Sequence, residues 1–93
     1  MSALAKSQKK KAEEFCSAAQ ALATKKGGWF SGSKEKNMEE AAETYGLAAN
    51  AYKVGGFAQE AGQMYVEAAQ LYDTLKNTSE AAKAYSQAGT YCK

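Results

Sequence analysis

Residues 40–53 read EAAETYGLAANAYK, residues 60–73 read EAGQMYVEAAQLYD and residues 80–93 read EAAKAYSQAGTYCK, and the three align in one register without a gap. The period is twenty residues. Glu40, Glu60 and Glu80 coincide, as do Ala41, Ala61 and Ala81, then Tyr45, Tyr65 and Tyr85, then Ala48, Ala68 and Ala88. Within a unit the shared apolar positions fall at i, i+4, i+7, i+8 and i+11, which is one stripe on a 3.6-residue helix and does not fit one face of a strand. Each unit is therefore one helix and one turn. Asn37 and Asn77 each precede a glutamate by three residues, the pattern of a capping box in which asparagine caps early amides and Glu40 or Glu80 reaches back. Gly55-Gly56 supplies a left-handed residue to end the second helix.

Toward the N-terminus the pattern returns with a longer gap. Phe15, Ala18, Ala19 and Leu22 repeat the spacing of Tyr45, Ala48, Ala49 and Tyr52 thirty residues earlier, so ten residues are inserted in the first turn. The insertion falls within the Gly/Ser/Lys-rich stretch 26–36. The spacing predicts four antiparallel helices, at 3–25, 38–54, 58–75 and 78–92, paired as two hairpins. The expected fold is all-α, with antiparallel helical hairpins stacked as a tetratricopeptide-like right-handed solenoid, in one unit covering residues 1–93. Alanine at i+7 and i+8 lets helix axes approach closely, and a tyrosine fills the space left while its hydroxyl reaches water at the rim. The last unit ends Tyr91-Cys92-Lys93 without a polar cap, so the chain is expected to be the N-terminal piece of a longer solenoid.

Charge is unevenly distributed along the chain. Residues 1–36 hold eight lysines against three glutamates, +5, and residues 37–93 hold four lysines against seven acids, −3. There is no arginine. Arginine's planar fork is the better instrument for bidentate contact with guanine or phosphate, so its absence argues against sequence-specific nucleic-acid reading. The run Lys9-Lys10-Lys11 lies on a helix whose other face carries Phe15, Ala18 and Leu22, and reads as a solvated face; a nucleic-acid binder resting on it is the alternative, and no nucleic-acid partner is expected. No run approaches the length of a membrane span, and MSALAKSQKKKAEEF has no apolar core of signal-peptide length. A cytoplasmic location is expected. Cys16 and Cys92 belong to no motif and read as small buried hydrophobes.

Catalysis finds little support. The chain contains no histidine, so the usual general base near neutral pH and the usual metal ligand are missing together. Glu39, Glu40 and Glu43 crowd what the spacing marks as a helix start, where the dipole favours acids. The glycines of GGWFSGSK follow no strand and lack the spacing of a phosphate-binding loop. Neither an enzyme nor a cofactor is expected.

Residues 26–33, KGGWFSGS, place Trp29, the chain's single tryptophan, beside Phe30 among glycine, serine and lysine. Such a segment has little with which to bury two rings. Each ring would gain about 1.5–3 kcal/mol on full burial, and Lys25, Lys26, Lys34 and Lys36 flank them, each adding about 1 kcal/mol near an anionic leaflet. Tryptophan favours the headgroup boundary. A weak membrane anchor is one reading, and rings folded back as a plug on the helix ends is the other.

The stretches KKGGWFSGSKEKNMEEAAETYGLAANAYK (25–53), AGQMYVEAAQLY (61–72) and EAAKAYSQAG (80–89) resemble the N-terminal third of the soluble NSF attachment proteins, the SNAP family, of alpha type. The resemblance runs from about Ala12 to Lys93. Generic tetratricopeptide arrays share the A-x-x-x-Y-x-x-A spacing, yet run on 34 residues per helix pair and lack this loop. What the resemblance implies is an adaptor in vesicle trafficking: a twisted sheet of antiparallel helices lying along the SNARE four-helix bundle and recruiting the hexameric ATPase NSF, which pulls that bundle apart. It also implies that the loop between the first two helices dips into the membrane, a role falling here on Trp29 and Phe30, although relatives carry more bulky apolar residues there. SNARE contacts in the family come from basic residues of the concave face, most of them in later repeats; Lys53 is the candidate in this chain, with a solvated lysine at a helix C-terminus as the alternative reading. The NSF-stimulating segment lies at the family's far C-terminus and is absent from this chain. A generic peptide-binding scaffold with no membrane role is the competing functional reading.

Overall fold

The computed structural model describes residues 3–24 and 34–91, and among them it contains four α-helices and no strand. They are α1 (Ala3–Thr24), α2 (Lys34–Val54), α3 (Ala58–Thr74) and α4 (Thr78–Tyr91). Each helix packs on its neighbours in chain order, α1 on α2, α2 on α3 and α3 on α4. The described residues extend 45 × 24 × 12 Å, a slab little thicker than one helix, whose diameter with side chains is about 10–12 Å.

The period is written in the turns as well as in the helices. After α2, Phe57 donates its N–H to the Tyr52 carbonyl (2.8 Å) and Gly56 donates to Lys53 (3.1 Å); after α3, Asn77 donates to Tyr72 (2.8 Å) and Lys76 to Asp73 (2.9 Å). Both are Schellman closures. Both need a left-handed residue at the same place, and there Gly56 has φ +88° and Lys76 φ +62°. Gly56 fulfils the role foreseen for it, whereas Lys76 takes the same conformation with a side chain that pays a steric cost.

The helix starts depart from the capping pattern in one place and follow it in part in another. Helix α2 begins at Lys34, four residues before the expected start, so Asn37 lies inside the helix rather than at its cap, and Glu40 has no capping role. The acid of the first turn is Glu35, and Glu39, Glu40 and Glu43 sit further along α2. Residues 34–36, counted with the inserted loop on the sequence, are helical. At α4 the expectation holds by half: the Glu80 N–H donates to Asn77 Oδ1 at 3.3 Å, but the Asn77 N–H is already committed to Tyr72, so Glu80 does not reach back to it. At α3 the equivalent position is Phe57, whose side chain makes no capping hydrogen bond.

The core is made of alanine framed by tyrosine. No side chain larger than alanine is completely buried, and no polar or charged residue is buried among the described residues. The central helices bury both members of each alanine pair: Ala41 and Ala42, Ala48 and Ala49 on α2, and Ala68 and Ala69 on α3, with Ala61 and Gly62 at the remaining pair. The outer helices bury one only. On α1 these are Ala12 and Ala19, the register equivalents of Ala42 and Ala49, while Lys11 and Ala18 are exposed. On α4 they are Ala81 and Ala88, while Ala82 and Gly89 are exposed. Residues i and i+1 point about 100° apart on a helix, so one member of each pair faces the preceding helix and the other the following one.

The tyrosine stripe is graded rather than uniformly packed. Tyr45 is 5% exposed, Tyr65 is half-buried, and Tyr85 on the last described helix is 44% exposed. Packing of the repeated tyrosines in the core thus fails at Tyr85, because among the described residues no helix packs on that side of α4. Cys16 is half-buried against the cluster of Ala19, Ala42, Tyr45, Ala68, Ala69 and Ala84; Cys92 lies outside the described residues.

Candidate functional site

Antiparallel packing sorts the candidate residues between two ends of the slab. Thr24 at the end of α1, Lys34 at the start of α2 and the α3–α4 turn lie at one end; the start of α1 and the α2–α3 turn lie at the other. The first end is where segment 25–33 joins α1 to α2. Trp29, Phe30, Lys25 and Lys26 lie outside the described residues, and of Lys34 only its backbone place at the start of α2 is described. Lys36 is exposed in the first turn of α2. A depression of about 390 Å³ beside it is lined by Glu35, Met38, Thr74, Leu75 and Lys76, so the start of α2 sits against the α3–α4 turn, with Lys76 also exposed.

Lys53 occupies the opposite end. It is exposed in the last turn of α2, where the helix dipole favours a cation, and seventeen residues of helix separate it from Lys36, about 26 Å at 1.5 Å per residue. The two groups of candidates therefore do not form one site. The Lys9–Lys11 run is at this end too and is not a uniform solvated face. Lys10 and Lys11 are exposed, but Lys9 is half-buried with its Nζ 5.7 Å from the centroid of the Phe57 ring, a cation–π distance.

A second concavity was not visible in the sequence. It is a groove of about 260 Å³ with α2 as one wall, α3 as floor and α4 as the other wall. Its apolar surface comes from Ala42, Gly46, Ala68, Ala84, Tyr65 and Tyr72, and its charged residues are Glu43, Glu80 and Lys83. Burial, then Glu80, Glu43 and Glu39, push the Tyr72 hydroxyl above the usual tyrosine range, which marks negative potential at this place. Lys83 is paired with Glu80 at 4.0 Å across one helical turn, its side chain 75% exposed. Only the three-dimensional stacking brings residues 42–46 and 80–87 to one surface, so no local motif could have announced it.

No group of three or more metal-ligating side chains is found among the described residues. No helix among them is long and apolar enough to cross a membrane. In comparison with known proteins, the family model for soluble NSF attachment proteins, SNAP, matches residues 10–93. No curated protein and no solved structure matches the chain. The aligned span takes in all three twenty-residue units and most of α1. With that span matched, the chain belongs to the soluble NSF attachment protein (SNAP) family, whose members are non-enzymatic adaptors acting with SNARE complexes and the NSF ATPase.

Proposed function

We propose that this chain serves as the N-terminal part of an adaptor that binds SNARE complexes and recruits NSF for their disassembly, and that it is attached peripherally to the cytoplasmic face of a membrane through Trp29 and Phe30. The observation that carries the membrane reading is the composition of residues 25–36, KKGGWFSGSKEK: two large rings with four lysines around them and no other apolar side chain within the segment. Insertion of both rings at the headgroup boundary, aided by Lys25, Lys26, Lys34 and Lys36, gives a weak and reversible anchor, because immersion is incomplete and the segment loses entropy on settling. Several adaptors around one SNARE bundle raise the effective affinity through tethering alone. Lys53 is the candidate for contact with the acidic SNARE bundle, at the end of α2 remote from the anchor.

Sedimentation with anionic liposomes tests the anchor. The parent protein is expected to pellet with vesicles of phosphatidylserine and phosphatidylcholine, and the double substitution Trp29→Ser, Phe30→Ser to remain in the supernatant with an unchanged helical circular dichroism spectrum. Equal pelleting of both proteins removes the loop from the mechanism and leaves the peptide-binding scaffold as the function of this part.

A further inference from the structure

We propose that the groove between α2 and α4 is a docking site for a segment of another protein that carries an arginine next to an apolar residue, with the apolar side chain seated over Gly46, Ala68 and Ala84 and the guanidinium against Glu43 and Glu80. Three observations carry this. The first is Gly46. Glycine in the interior of a helix costs about 1 kcal/mol relative to alanine, and such a residue normally answers to a close neighbour. At Gly46 a Cβ would meet nothing within 4 Å. The fold does not require the glycine, and its effect is to deepen the groove it lines.

The second is size. About 260 Å³ is below the roughly 300–1,000 Å³ of sites that enclose a small molecule, and it suits one or two side chains of a longer segment lying across α3. The third is charge. Glu43 and Glu80 line the groove and Glu39 adds to the field at Tyr72, against Lys83 alone, whose 75% exposed side chain pairs loosely with Glu80 at 4.0 Å and can be displaced by the incoming guanidinium. An apolar floor with tyrosine rings and carboxylates at its edge fits the planar, weakly hydrated guanidinium better than a compact ammonium. These 93 residues contain no arginine, so a second copy of them does not supply the segment. The inference is independent of the membrane loop and of Lys53.

The test is a nuclear magnetic resonance titration of the full chain with N-acetyl-leucyl-arginine amide, using N-acetyl-leucyl-glutamate amide as the charge-reversed probe. Saturable shifts are expected at the amides of Gly46, Ala68 and Ala84 with the arginine probe only. Glu43→Gln combined with Glu80→Gln should weaken binding about five- to tenfold, the loss of two partly exposed ion pairs. Gly46→Leu, whose Cβ would meet nothing within 4 Å, should fill the groove and abolish the shifts, with thermal stability kept or raised as a helix-interior glycine is replaced. No saturable shift, an equal response to the glutamate probe, or wild-type binding by Gly46→Leu overturns the proposal. So does a dimer in sedimentation that Gly46→Leu converts to a monomer, since the groove would then belong to a second copy.

Discussion

Tyr52 and Phe57 meet edge to face across the turn that ends α2, their ring centroids 6.1 Å apart and their planes at 78°. The same two residues are joined through the backbone, the Phe57 N–H donating to the Tyr52 carbonyl. Phe57 thus ties the turn to the cluster of Ala12, Ala51, Tyr52 and Ala61, and the Lys9 ammonium of α1 lies over its ring. Three helices meet at one half-buried ring.

Phe57→Ala should therefore destabilise the protein by about 2–3 kcal/mol, less than the about 3–5 kcal/mol of a fully buried phenylalanine. Urea denaturation followed by circular dichroism measures it. A double-mutant cycle of Lys9→Met with Phe57→Leu is expected to show about 0.5–1 kcal/mol of coupling, the size of a partly exposed cation–π contact. A loss below 1 kcal/mol for Phe57→Ala would show that the turn is held by its backbone bonds alone.

Gly56 and Lys76 occupy equivalent left-handed positions in successive turns, so opposite substitutions should have opposite signs. Gly56→Ala is expected to lower stability by about 1–2 kcal/mol through the strain of a Cβ at positive φ, since open space around that position removes any steric reason. Lys76→Gly is expected to raise stability by up to about 1 kcal/mol, the relief of that strain less the added freedom of the unfolded chain. Thermal unfolding of the two single variants decides this. Equal signs would mean that something other than the backbone angle governs the turns.

Alkaline pH should weaken the fold. Burial raises Cys16 above its ordinary value of 9.0, helped by Glu67 and Glu13, and burial raises Tyr45, Tyr52 and Tyr72 above 10.0, helped by nearby glutamates that include Glu67, Glu13 and Glu80 respectively. For these groups the neutral form is the one favoured in the folded state. Their contribution is complete below the unfolded values of 9.0 and 10.0 and is lost as pH rises through the higher folded values. The melting temperature should hold near about pH 8 and fall toward about pH 11, with Tyr72→Phe reducing the slope. A melting temperature unchanged across that range would show that the hydroxyls ionise without leaving their places.

Local order was written in the sequence because it depends on residues four or five apart. The alignment of Tyr45, Tyr65 and Tyr85 gave the helices and their period, Gly56 marked a left-handed turn, and the run from residue 25 to residue 89 carried the family resemblance. Asn37 misled, because the same asparagine-to-glutamate spacing occurs inside a helix as at its cap, and Lys34–Lys36 continue the helix backward past it. The anchor candidates Trp29 and Phe30 were legible as composition alone.

What tertiary structure decided is which side of each helix has a neighbour. The sequence writes a similar small-residue pair and an aromatic ring into each helix; stacking in one layer buries both members of the pairs on α2 and α3 and one member on α1 and on α4, and leaves Tyr85 uncovered where Tyr45 is enclosed. The groove arises the same way, from α2 and α4 side chains some forty residues apart that approach across α3. Periodicity fixes the face a side chain occupies on its own helix, but burial and pocket shape belong to the helices on either side, and those are set by how the layers stack.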